Sequence, residues 1–194
     1  MSFAYVGSFT APERGGLGHG GISIFSRRGA AEWESVQVVE RVNPSFLAFD
    51  RERRFLYTVQ GNGCFVAAYA IDAASGTLTL LNEKHIGLYN GVSLVVDPTN
   101  RWLLVTTLNN GSGAIVSLRL ASEGKIGEIC DIEVPQGAHG PLESQRATQP
   151  HQVVFDPSGK HLIVPDKGLD CIHSYRLDAE TGRIFMNHAF RRFR

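Results

Sequence analysis

Three segments of the chain carry one pattern of apolar and polar positions: PSFLAFDRERRFLYTV from Pro44, GVSLVVDPTNRWLLVT from Gly91 and PHQVVFDPSGKHLIVP from Pro150. Each has an apolar run, an aspartate, three turn-like residues, a basic residue and a second apolar run. The aspartates are Asp50, Asp97 and Asp156, 47 and 59 residues apart, and Arg54, Arg101 and Lys160 follow four positions later. Two β-rich runs joined by Asp-Pro-Ser-Gly or Asp-Pro-Thr-Asn predict antiparallel hairpins. A third strand follows each hairpin: FVAAYAID from Phe65, AIVSLRL from Ala114 and CIHSYRLD from Cys171. A fourth follows the turns at Gly76 (LTLLNEKHI) and Gly124 (IGEICDIEV).

Four-stranded repeats of roughly 40–50 residues predict propeller blades, which bury their faces against one another because no blade can do so alone. No segment has convincing helical periodicity. The chain opens with YVGSFT, GISIF and VQVVE, read as strands two to four of a blade, and its last repeat is read as ending with strand three. The fold class expected is therefore all-β, an arc of nearly four four-stranded blades with fourteen strands. Residues 1–186 form this partial propeller, and 187–194 are set apart as an atypical tail at a truncation. Unpaired edges at both ends favour self-association, and the isolated chain is expected to be marginally stable.

Composition narrows the partners. Among 194 residues, 19 are Lys or Arg and 19 are Asp or Glu, so the formal charge is zero and no basic footprint for nucleic acid or anionic membrane exists. No apolar run approaches the roughly 18 residues that span a bilayer. The start, MSFAYVGSFT, has no basic or apolar leader region, which predicts no signal peptide and a cytoplasmic location. Cys64, Cys130 and Cys171 are widely spaced without a CxxC, which argues for reduced thiols and against a disulfide framework or zinc site. Neither Cys64 nor Cys171 has a base evident in the sequence, so neither reads as a nucleophile. The three hairpin aspartates repeat at one position and read as turn formers, not as a catalytic carboxylate pair. GGLGHGG, from Gly15, leads into a strand rather than a helix, so it reads as a loop and not a dinucleotide site; His19 within it is a weak ligand candidate. His85, His139, His161, His173 and His188 show no metal-ligand spacing.

The run YVGSFT…GGISIF, NPSFLAFDRERRFLYTV and PHQVVFDPSGKHLIVPDKGLDCIHSYRLDAETGRI resembles the seven-bladed propeller lactonase family, which includes the propeller-type 6-phosphogluconolactonases and the carboxymuconate-lactonizing enzyme. The resemblance runs from about Tyr5 to Ile184 and corresponds to the N-terminal half of such a ring. It implies a site at the mouth of the central channel, built from the starts of innermost strands and adjacent loops. It also implies a lactone substrate, no cofactor and no metal.

His151 opens such a strand. Many family members carry His-x-His here; His151 matches the second histidine, and Gln149 stands at the first. An imidazole can act as general base on a lactone-attacking water or bind an acidic substrate group. In the preceding loop, GAHGPLESQRATQ, Arg146 is a candidate contact for a phosphate or carboxylate and Glu143 a second substrate-binding candidate. Asp166 and Lys167 end the following strand and turn toward the channel mouth; Lys167 is taken as a further substrate-binding candidate. The resemblance also implies an arginine and a glutamate in the next blade, beyond this sequence. Three readings stay open: a lactonase acting on a sugar lactone such as 6-phosphogluconolactone, a cycloisomerase-like enzyme, and a non-catalytic fragment or binding module.

Overall fold

Aspartate-led hairpins set the architecture. The computed structural model describes residues 2–29 and 32–191. In each hairpin the aspartate's backbone N–H closes the turn (Asp50 to Phe55 O, Asp97 to Trp102 O, Asp156 to His161 O), and its Oδ1 accepts the N–H of Phe55, Trp102 or His161. The residue three positions on takes a left-handed backbone in all three repeats: Arg53 (φ 57°), Asn100 (φ 57°) and Gly159 (φ 70°). The aspartates are thus turn formers, as the pattern predicts.

Fifteen strands among the described residues form four antiparallel meanders in chain order. The first sheet holds β1 (Ser2–Gly7), β2 (Gly21–Arg27) and β3 (Trp33–Glu40). The second holds β4 (Pro44–Phe49), β5 (Phe55–Gln60), β6 (Phe65–Ile71) and β7 (Leu78–His85). The third holds β8 (Gly91–Val96), β9 (Trp102–Thr107), β10 (Ala114–Leu120) and β11 (Ile126–Glu133). The fourth holds β12 (Val154–Phe155), β13 (His161–Asp166), β14 (Cys171–Leu177) and β15 (Ile184–Arg191). These are propeller blades, stacked so that one apolar layer lies between each neighbouring pair. Residues of β9 are buried on both faces, which explains a run, WLLVTT, without polar alternation.

Two stitches recur between blades. An aromatic ring at the start of one blade's second strand lies over a left-handed glycine in the next blade: Phe3 over Gly76, Phe55 over Gly124, Trp102 over Gly182. A Cβ at these glycines would sit 2.3–2.4 Å from the ring, and φ there is +74° to +84°, so only glycine fits. Lower down, Gln37 and Asn82 each bond both the N–H and C=O of the next blade's residue, Leu78 and Ile126, and Asp131 accepts from Ile184 N.

Two expectations change. The strand count is fifteen, not fourteen, because β15 completes the fourth sheet and draws 187–191 into the ladder against β14. Its turn copies the one before β7: Gly76 N bonds Asp72 O and Gly182 N bonds Asp178 O. Residues 192–194 lie outside the described residues. The innermost strand of the fourth sheet is shorter than PHQVVF predicts, being β12 plus an isolated Pro150–Asp166 bridge. Pro150 and Pro165 bring no N–H to that ladder, and the N–H of Val153 goes across to Ser93 Oγ of the third sheet.

Candidate active site

The short inner strand leaves His151 at the rim. Its N–H bonds Pro165 O at 3.0 Å, and its side chain is exposed. With Pro165, Asp166, Lys167, Asp170, Cys171, Ile172 and Phe190 it lines a cavity of about 490 Å³. His151 and Lys167 therefore line one cavity, positioned by backbone pairing: Lys167 N bonds Gln149 O at 3.2 Å. Arg146 and Glu143 do not join them. Both are exposed in the preceding loop, where Arg146 Nε donates to the Glu143 carbonyl at 3.2 Å.

Asp166 organises this corner. It is 2% exposed, and its Oδ1 accepts three backbone N–H groups: Gln149 at 2.8 Å, Gly168 at 2.9 Å and Leu169 at 3.0 Å. Its Oδ2 accepts from Thr148 Oγ1 and lies 3.5 Å from His173 Nε2. One carboxylate thus fixes both the approach to His151 and the turn carrying Lys167. Burial alone would raise its pKa, but the bonds from His173, Thr148, Gln149 and Leu169 outweigh that and hold it below the ordinary carboxylate range. The turn is tight enough that a Cβ on Gly168 would lie 1.8 Å from Ala147 O. Gly168→Ala therefore displaces residues 147–149. The expected result is loss of amide-exchange protection confined to 140–149 and 166–169, which hydrogen exchange would read.

Behind Asp166 the fourth blade carries polar side chains at two positions of its third strand that the second and third blades keep apolar. His173 occupies the strand position of Ala67 and Val116, Cys171 that of Phe65 and Ala114, and Asp166 that of Gln60 and Thr107. His173 is fully buried, with its Nε2 3.3 Å from Cys171 Sγ. Burial, with smaller contributions from Glu133, Asp166 and Cys171, pushes the Tyr175 phenol far up. Glu133 is also raised, by burial first and Asp131 second, with His173 opposing. The fold thus sets an imidazole nitrogen beside Cys171, a neighbour not evident in the sequence. The missed signal is C-x-H on a strand, which puts both side chains on one face.

A second cavity, of about 440 Å³ between the first two blades, is lined by His19, Glu40, Arg41, Gln60, Phe65 and Glu83, among others. Arg41 stands one residue past β3, where Ile86 and Val134 follow β7 and β11. It pairs with Glu83, and its Nε donates to Tyr69 Oη at 2.8 Å. These contacts partner its guanidinium within the blade interface. Among the described residues, no group of three or more His, Cys, Asp or Glu is arranged to hold a metal ion, and no helix is long and apolar enough to cross a membrane.

A family model described as lactonase, 7-bladed beta-propeller, matches residues 3–192. The chain belongs to this propeller lactonase family. It is 31% identical over 141 residues to the 6-phosphogluconolactonase of Bacillus subtilis, covering 70% of this chain and 38% of that protein. It is 27% identical over 187 residues to that of Formosa agariphila, covering 92% and 51%. The chain thus spans about half the length, or less, of these lactonase relatives. A crystal structure from Bacteroides fragilis superposes with a TM-score of 0.83 at 24% identity, over 98% of this chain and 55% of that one. The periplasmic gluconolactonase of Pseudomonas aeruginosa gives 0.77 at 19% identity, over 100% and 69%. At these identities the two structures establish the propeller fold.

Proposed function

We propose that the chain carries a lactonase site that hydrolyses a sugar lactone, with 6-phosphogluconolactone, opened to 6-phosphogluconate, as the substrate. The observation that carries this reading is the cavity in which His151 and Lys167 converge, in a member of the lactonase family whose relatives bear that enzyme's name. His151 takes a proton from water as the water attacks the ring carbonyl. Lys167 presents an ammonium to the developing oxyanion or to the substrate's anionic group. Arg146 and Glu143 sit further out and meet the phosphate and hydroxyl groups of a substrate spanning the loop. The ring C–O bond breaks and the alkoxide is protonated, giving the open hydroxy acid.

The test is proton release from 6-phosphogluconolactone in weak buffer, with spontaneous opening subtracted. Purified chain accelerates it, and His151→Asn lowers kcat/KM about a hundredfold. Lys167→Ala raises KM for the phosphorylated lactone more than for the unphosphorylated one. Equal rates for wild type and His151→Asn, or no acceleration by wild type, would overturn the reading.

A further inference from the structure

The chain's three thiols sit in unlike surroundings. Cys64 is half-buried at the turn into β6. Cys130 is half-buried on β11, where its Sγ bonds Glu128 O at 3.6 Å and burial pushes its pKa up. Cys171 is the most buried of them at 8% exposure, yet it lines the cavity that His151 occupies. Burial alone makes a thiol inert.

Cys171 differs in what it touches. His173, two residues along the same strand face, brings Nε2 to 3.3 Å from Sγ. Asp166, paired directly opposite Cys171 in the β13–β14 ladder, lies 3.5 Å from the same nitrogen. His173 is fully buried, and among the described residues its Nδ1 has no hydrogen-bond partner. The ring therefore makes its polar contacts through the edge that faces the sulfur and the carboxylate. An apolar residue serves at the two positions before it, Phe65 with Ala67 and Ala114 with Val116. Burying an imidazole where alanine or valine suffices costs stability.

We propose that Cys171 is a reactive thiol, modified covalently by small carbon electrophiles that enter the His151 cavity. In the step, His173 starts as the tautomer with its proton on Nδ1 and the Nε2 lone pair open; the Sγ proton passes to Nε2, and the new Nε2–H of the imidazolium faces the Asp166 carboxylate. The sulfur attacks the electrophilic carbon, an S–C bond forms, and the leaving group departs with its electron pair; with iodoacetamide it is iodide. This chemistry goes beyond lactone hydrolysis and needs no lactonase activity to be seen.

The experiment is competitive alkylation of the native chain with limiting iodoacetamide at pH 7, with the three cysteine peptides quantified by mass spectrometry. Cys171 is expected to react at least tenfold faster than Cys64 and Cys130, despite its burial. In urea the three rates converge. His173→Asn slows Cys171 about tenfold and leaves the other two unchanged. A polymer-linked maleimide, too large for a cavity of about 490 Å³, spares Cys171. A wild-type Cys171 that reacts more slowly than Cys64 and Cys130, the order burial alone dictates, would overturn the proposal without any variant. So would equal labelling of Cys171 by the bulky reagent.

Discussion

Asp166→Ala will lower the unfolding free energy by about 3–5 kcal/mol, the range for stripping one partner from a buried charged network. At roughly 2–4 °C per kcal/mol for a chain of this size, the melt falls by about 6–20 °C. The substitution leaves the N–H groups of Gln149, Gly168 and Leu169 and the hydroxyl of Thr148 without their acceptor. Each buried donor left so costs about 1–3 kcal/mol, reduced where water reaches it from the cavity side. Asp166→Asn keeps an oxygen for the three amides and should lose less than half as much. A melt of Asp166→Ala within 3 °C of wild type would mean the carboxylate does not hold this corner.

The same residue gives the effect a pH signature. Its folded pKa is depressed, so the unfolded chain binds the proton more tightly. The stabilisation is fully present above the unfolded pKa of about 3.9 and is lost as pH falls through the lower folded value. The part of the gap between wild type and Asp166→Ala that comes from this carboxylate's own titration should narrow below pH 4. Asp72, Asp156 and Asp178 are also depressed, by bonds to their turn residues, but they titrate equally in both proteins and cancel in the difference.

The blade pattern was legible because it is local. An aspartate, a turn and two apolar runs recur at fixed offsets, and each is satisfied within about a dozen residues. The terms that join blades were not. Gln37, Asn82 and Asp131 look like ordinary polar residues on outer strands, yet each bonds a backbone group 41 to 53 residues away. Strand β15 was missed for a related reason. IFMNHAFR lacks clean alternation, and its turn had to be matched to Asp72–Gly76 to be seen. At the candidate site, His151 was named chiefly from the family resemblance and Lys167 from its place at the end of a strand, and both line one cavity. Arg146 and Glu143 were chosen as charged members of the loop, and there Arg146 bonds the Glu143 backbone carbonyl. His173 was passed over because it was sought as a metal ligand. What marks it is a polar side chain on a strand face that two other repeats keep apolar.

Trp102 decides how firmly the third blade holds the fourth. It is 1% exposed and packs with Leu104, Ile115, Leu162, Val164, Tyr175 and Ile184. The two earlier stitches add a phenol bond to the carbonyl of the glycine they cover, Tyr5 to Gly76 and Tyr57 to Gly124. At the third, Leu104 stands where the tyrosine would be, so the indole works alone, stacking on Gly182 and donating Nε1–H to Ala179 O at 3.1 Å. Trp102→Ala should cost about 3–5 kcal/mol, because the ring's contacts vanish and two packed sheets cannot close the cavity. Trp102→Phe keeps most of the apolar contact but loses the hydrogen bond, and should cost about 1–2 kcal/mol. The chain's other tryptophan, Trp33, is 53% exposed and supplies the control, since Trp33→Ala should stay within about 0.5 kcal/mol of wild type. Chemical unfolding followed by circular dichroism separates the three. If Trp102→Ala and Trp33→Ala unfold at the same denaturant concentration, the indole is not what fastens these blades. If Trp102→Phe falls as far as Trp102→Ala, the single bond to Ala179, and not the apolar contact, carries the joint.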